Sequence, residues 1–524
     1  MKSKLRLYAA ASVVVAGLLC VAPASPGSSM AQQAASLTVS PRVYVGGQAV
    51  TYRGNLGVRG TRNIHLQINM GGSNTWTDLP GTRATTKADG SFSFTHPALS
   101  MFGIRVRVAS GGTATPAITS DARSQDLVLD APPKVNAGQN FTIRVDTTPT
   151  LLRRPDLPPP VFEGRTLTLQ QRVIGQPDDP STWKWETVGT PTQTDASGNG
   201  QFTVTAGNTS PAVYRVRQED WTRNGSEIGW FPSFPTHVEV VGASGPGVAA
   251  PSSATTASPD VVSTRRSTAR AAARASGSTT ASQKYGWRPA LWDFAWEFGE
   301  SLTSRPYRGT DRRGGWLDSS NGSGRAAKHN GGLMLDSQRG VDGPGDFGTT
   351  VATLQGNPMT YGRWETKLRL KSPERNRSDY HVRFELVPSR AADYHCGGQN
   401  ITVADLTPHG STLTVGAKSF RGNRQWTAHA PIGSLLGPSA TFSVEVARGH
   451  ISWFLNGRVI ATVRDQAAVS DVPMTLRFSL VGKGQQEMNR TQAISDWQRG
   501  FSLDRGRTVM SGKALQRGSY SGGC

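Results

Sequence analysis

From about residue 36 onward, polar and apolar positions alternate in short runs that Gly, Asn, Asp or Pro interrupt every few residues. A period of two is that of a half-buried strand, and no stretch carries a long helical stripe, so the pattern predicts an all-β protein. Before residue 242 the pattern occurs twice. Gly46 to Arg53 is echoed by Ala137 to Arg144, Leu66-Gln67 by Leu169-Gln170, and Asp89 to Phe94 by Asn199 to Val204. Ile104-Arg105-Val106-Arg107 is set against Tyr214-Arg215-Val216-Arg217, and Trp76 against Trp183 or Trp185. Each copy predicts a small β-sandwich, the first over 36–125 and the second over 126–241.

These copies resemble the immunoglobulin-like modules appended to secreted bacterial proteins. Neither contains a cysteine, so neither has the inter-sheet disulfide of antibody domains. Residues 242–284 are dominated by Ala, Ser, Thr, Gly and Arg and have too few apolar residues for a core, which predicts a flexible linker. Beyond it, 285–524 turns aromatic-rich with alternating segments, the pattern of a two-sheet jelly roll with one concave face.

Composition narrows the setting. Lys2, Lys4 and Arg6 precede an apolar run from Ala9 to Val21 that ends in Ala22-Pro23-Ala24, so 1–24 predicts a cleaved secretory signal. No later stretch approaches the length of a membrane span, which predicts no transmembrane anchor and a secreted, extracellular or cell-wall-associated protein. A formal net charge of +20 favours acidic surfaces. The arginines are spread through the chain without a helix-turn-helix, zinc-finger or aromatic RNA-binding motif, so nucleic acid is not an expected partner. Of three cysteines, Cys20 lies in the signal, and Cys396 and Cys524 remain, either bridged or free.

The chemistry concentrates at Gly397-Gly398-Gln399-Asn400-Ile401-Thr402-Val403-Ala404-Asp405-Leu406. Asn400 and Thr402 alternate with Ile401 and Val403, and Asp405 rejoins the polar face only if Ala404 is an extra, bulged residue. The segment resembles the signature strand of glycoside hydrolase family 16, the laminarinase and lichenase group, which reads Glu-x-Asp-x-x-Glu. Further segments match in order: Trp292 to Phe298, Gly331 to Leu335, Tyr361 to Lys367, His450 to Gly457 and Ile494 to Trp497. The resemblance covers about 285–524 and implies a concanavalin-like jelly roll. It places Asn400 at the nucleophile, Thr402 at its helper and Asp405 at the acid/base, so two of three carboxyls are missing.

Registered on Pro388, the preceding strand sets His381, Arg383 and Glu385 on the same face, with Arg383 and Glu385 readable as an ion pair. Tyr380 and Trp426 join them as candidate substrate-binding residues, with core packing the alternative for Trp426. Asp496 resembles a position that helps hold a structural calcium in some relatives; no other cofactor is expected. The leading reading is a polysaccharide-binding protein, for a neutral or anionic glycan, with hydrolysis weak or lost. One alternative is hydrolysis in which Asp405 is the acid and Glu385 supplies the missing carboxylate. Another is a uronate polysaccharide lyase, with Arg383 or Asn400 neutralising the substrate carboxylate and His381 or Tyr380 abstracting the proton.

Overall fold

A computed structural model describes residues 33–69, 75–120, 122–149, 159–175, 183–246, 279–329, 331–337, 345–394, 397–419 and 421–521. The predicted signal, most of the predicted linker, Cys396 and Cys524 lie outside these residues. The chain is all-β. Its first unit packs a three-stranded sheet (Ser36–Ser40, Ala49–Asn55, Ser91–Pro97) against a six-stranded one built on Asn63–Asn69 and Arg105–Ser110. The second packs Val128–Asp130, Asn140–Asp146 and Asn199–Thr205 against a seven-stranded sheet centred on Thr166–Val173 and Ala212–Gln218. Alternate residues such as Val50, Tyr52, Leu66 and Val108, or Ile143, Leu169 and Val216, fill the two cores.

The third unit is a jelly roll of two eight-stranded sheets. One, the site sheet, runs in the order Gly315–Asp318, Thr349–Gln355, Met474–Val481, His381–Pro388, Ile401–Leu406, Thr412–Lys418, Arg424–Pro431, Gln516–Ser519. The other runs Arg325–His329, Gly332–Asp336, Gln492–Phe501, Gly362–Lys371, Ser439–Ala447, His450–Leu455, Arg458–Val463, with Trp292–Phe294 added alongside Gln492–Phe501. Phe384, Leu386, Ile401, Val403, Trp364, Trp453 and Phe478 lie in the layer between the sheets, where Phe384 and Phe478 meet edge to face at 6.3 Å.

Part of the second sheet's outer side is covered. The end of the predicted linker is ordered: Ala281–Tyr285 is a single helical turn, capped by the Thr280 hydroxyl and ended by Gly286 in the left-handed region at φ 73°. Ser282 donates to both oxygens of Glu365, through its backbone at 3.0 Å and its hydroxyl at 2.6 Å, and Ser443 adds a third bond at 3.1 Å. That satisfies a carboxylate with no exposed surface. Trp287 then packs on Phe454 and Phe501 and covers that part of the face.

The units also pack directly on one another. Arg215 of the second unit reaches Asp318 of the jelly roll at 2.6 Å, with both side chains under a tenth exposed. Beside it, Arg172 donates to the carbonyls of Asn321 and Gly322 at 2.9 and 3.1 Å, and Trp185 lies against both guanidiniums. Arg325 returns the contact, pairing with Asp126 at 3.0 Å, donating to the Pro232 carbonyl and stacking on Phe234 at 3.8 Å. Where Gly47, Glu227 and Gly299 meet, the backbones approach so closely that any side chain on Gly299 would strike the Glu227 carbonyl.

Candidate functional site

Alternation along His381–Pro388 buries Val382, Phe384 and Leu386 and turns His381, Arg383 and Glu385 outward. On the neighbouring strand Ile401 and Val403 are buried, Thr402 is half-exposed, and the phase then slips: Ala404 is also buried, and Asp405 emerges. The register on both sides of this strand shifts at that point. The expected bulge is therefore present, and it sets Asp405 opposite Arg383 while Thr402 stands opposite Glu385. A bulge frees backbone groups from the ladder; here the Thr402 carbonyl accepts from the Trp453 indole, which crosses the core from the other sheet at 2.9 Å.

Asp405 is shared between two side chains. One of its oxygens lies 2.8 Å from His381 Nδ1, and the other accepts from Arg383 Nε at 2.7 Å. Arg383 thus pairs across the strands with Asp405, not along its own strand with Glu385. Burial works against the Arg383 charge, but Asp405 and Glu385 outweigh it and hold the guanidinium more firmly protonated than usual. Glu385 sits deeper, opposite Arg477 of Met474–Val481. Burial pushes its carboxyl above the ordinary range, with Arg383 and Arg477 pulling the other way.

Toward the start of the Ile401–Leu406 strand the face becomes richer in donors. Gln399 takes a left-handed backbone (φ 66°), Gly397 another (φ 75°), and the chain turns into the strand through Asn400, whose amide is 7% exposed. Asn400 Oδ1 is buried without a hydrogen-bond partner among the described residues. A side-chain carbon on Gly397 would lie 3.5 Å from Lys418 Nζ, 3.7 Å from Asn400 Nδ2 and 4.0 Å from the Tyr394 hydroxyl. Arg477 lies over the Tyr394 ring at 5.4 Å.

The site sheet therefore brings together His381, Arg383, Glu385, Thr402 and Asp405, with Asn400 at their edge. Two expected members are elsewhere. Tyr380 has no exposed surface; it belongs to the inter-sheet core, where burial and then Asp346 raise its hydroxyl far above the normal range. It precedes the outward-facing His381 by one residue, so alternation sends it inward. Trp426 is also a core residue, 3% exposed, because it shares the inward phase of Arg424–Pro431 with Ala428. Neither is available to a substrate, which also removes Tyr380 as the base of a lyase.

Asp496 lies on the other sheet, paired with Lys367 at 3.0 Å and Arg369 at 3.6 Å. Two cations on one carboxylate oppose a calcium site, and no cluster of three or more His, Cys, Asp or Glu suited to a metal occurs among the described residues. Sequence reasoning missed Arg477, Lys418 and Tyr394. The first was legible as the lone charge in Met-Thr-Leu-Arg-Phe-Ser-Leu-Val, at an outward position of an otherwise apolar strand.

No helix among the described residues is long and apolar enough to cross a membrane. No family model and no curated protein matches the sequence. Among solved structures, the chain is similar to the laminarinase catalytic domain from Thermotoga maritima MSB8, at 14% identity over 41% of this chain and 99% of that one, TM-score 0.33. It is similar to the laminarinase from Rhodothermus marinus at 14% identity, over 41% and 96% of the two chains, TM-score 0.33. A GlcNAcα1-4Gal-releasing endo-β-galactosidase from Clostridium perfringens is similar at 12% identity over 37% and 60%, TM-score 0.30.

Proposed function

We propose that this chain is an exported protein that binds a polysaccharide along the outer face of the site sheet and does not cleave it by double displacement. One observation carries the reading: the strand that resembles a glycosidase signature holds Asn400, Thr402 and Asp405 in place of its three carboxyls. An amide does not attack an anomeric carbon as a carboxylate does. Asp405, the remaining acid, has both oxygens engaged by His381 and Arg383, so it serves to brace those two side chains. The face keeps what recognition needs, namely cations, carboxylates and hydroxyls set on rigid strands. The 1–24 leader pattern supports the export.

The experiment is a glycan array on the full chain, read beside reducing-sugar release from β-glucans and galactans. Binding that Arg383→Ala weakens, without sugar release, is the expected result. Release that disappears in Asp405→Ala overturns the proposal.

A second reading, hydrolysis by Glu385 and Asp405, is favoured by the contrast between the two groups: burial raises one carboxyl while the other is paired with the Arg383 guanidinium. Glu385 is then the acid and Asp405 the anion, the reverse of the roles expected from the sequence. The two residues sit diagonally across the bulge, and a carboxyl separation of roughly 6.5–9.5 Å suits inversion through water. Release with inverted stereochemistry, lost in Glu385→Gln, selects this reading.

A further inference from the structure

The two N-terminal units carry the same three-residue device, and only one copy is in use. In the second unit Arg215 stands opposite Gln170, donates from Nε to Gln170 Oε1 at 2.9 Å, and lies over Trp185 at 4.3 Å. In the first, Arg107 stands opposite Gln67, donates from Nε to Gln67 Oε1 at 2.8 Å, and lies over Trp76 at 4.1 Å. The backbone register thus equates Arg107 with Arg215, two residues away from the match that the sequence motifs suggested, and Trp76 with Trp185, one of the two partners they offered.

The copies differ in what the guanidinium meets next. Arg215 Nη1 is closed on the Asp318 carboxylate at 2.6 Å. Arg107 forms no ion pair among the described residues: the acid beside it, Asp78, is instead hydrogen-bonded by Gln67 Nε2 at 2.8 Å and lies 3.0 Å from His65 Nε2. Arg107 and Trp76 are half-exposed, and Arg105, exposed, lies over the same ring at 5.7 Å.

A second difference indicates what fits. In the used copy Arg172 grips the carbonyls of the turn that presents Asp318; the same register puts Asn69 in its place in the first unit. The open copy has therefore kept the carboxylate-binding part and lost the part that recognises a peptide turn. What remains is a guanidinium preset by Gln67, an indole surface, and a second cation two residues along the strand, about 6.5–7 Å away. Carboxylates borne on sugar rings and repeated along a chain match that layout: the ring lies on the indole and the acid meets the guanidinium fork.

We propose that the Gln67–Arg107–Trp76 face of the first unit is a binding site for uronate-containing polysaccharide. The site is separate from the jelly-roll face and does not rest on the function assigned there. It is tested on the full-length protein by calorimetric titration with an oligogalacturonate and, as control, its fully methyl-esterified form. Wild type binds the acid form only. Arg107→Gln weakens that binding by about tenfold or more, the range for a lost hydrogen bond between charged groups, and Trp76→Ala weakens it by removing the ring surface, whereas Arg383→Ala leaves it in place. Arg105→Gln, at an exposed position that does not bear on folding, weakens it by a smaller factor. Equal binding of the ester, unchanged affinity in Arg107→Gln and Arg105→Gln, or loss only in Arg383→Ala overturns the proposal. Tighter binding of polyglutamate than of oligogalacturonate also overturns it, and gives the face to an acidic protein.

Discussion

The Trp453 indole donates to the Thr402 carbonyl at 2.9 Å, so the bulge that aims Asp405 is held from the opposite sheet. Trp453 has no exposed surface, and its ring is part of the core. Trp453→Phe keeps most of the packing but removes the indole donor from the Thr402 carbonyl. The expected loss is about 0.5–1.5 kcal/mol, read as a lower denaturation midpoint at unchanged slope. Weaker polysaccharide binding through a displaced Asp405 is expected with it.

Glu385 gives the site a pH dependence of definite sign. Its folded-state pKa lies above its ordinary 4.5, chiefly through burial, so the folded protein binds the proton more tightly than the unfolded chain. The associated stability is present at pH below about 4.5 and is lost as pH rises through the raised value. Glu385→Gln removes this slope and is neutral or stabilising at pH 7. Thermal melts of the two proteins across pH 4 to 8, compared as differences, are the check.

The joint between the second unit and the jelly roll predicts strong non-additivity. Arg215 and Asp318 are both buried, so removing either strands the other. Arg215→Met or Asp318→Ala alone is expected to cost about 3–5 kcal/mol. The double variant costs less than the sum, and a double-mutant cycle by chemical denaturation measures the difference.

Acid should act where the first unit meets the jelly roll through His329, which lies 2.9 Å from Ser124 Oγ. Burial first, and then Lys371, Arg325, Arg369 and Lys328, push the imidazole down from 6.5 to about 3. The unfolded chain takes up a proton as pH falls below 6.5 while the folded one resists until about 3, so stability declines across that window. His329→Asn flattens this part of the acid profile in a pH-dependent melt.

Much of the third unit was legible because strand alternation is a local rule. The bulge at Ala404 follows from one break in phase, and the placing of Arg383 opposite Asp405 follows from the bulge. Alternation also argued against Tyr380, since residues 380 and 381 cannot face the same way. Trp426 had two readings, cleft or core, for a related reason: an aromatic residue's chemistry suggests sugar contact, but its phase decides whether it reaches solvent, and here it is core. What local pattern could not supply was anything set by long-range pairing. The Trp453 bond, the Arg477 and Lys418 neighbours, and the two-residue offset between the N-terminal copies all depend on registers between strands distant in sequence. The docking of the units was hidden in the same way. Arg172, Arg215 and Arg325 read as dispersed surface charge, yet each is buried against a partner from another unit.

That docking has a consequence for how the chain behaves as an object. Arg215 with Asp318, Arg325 with Asp126, and the Gly299 crossing clasp the N-terminal half to the jelly roll without help from a peptide bond between them. A protease cut between residues 246 and 279 should therefore leave one particle that migrates as a single species, and the two fragments should part only in denaturant.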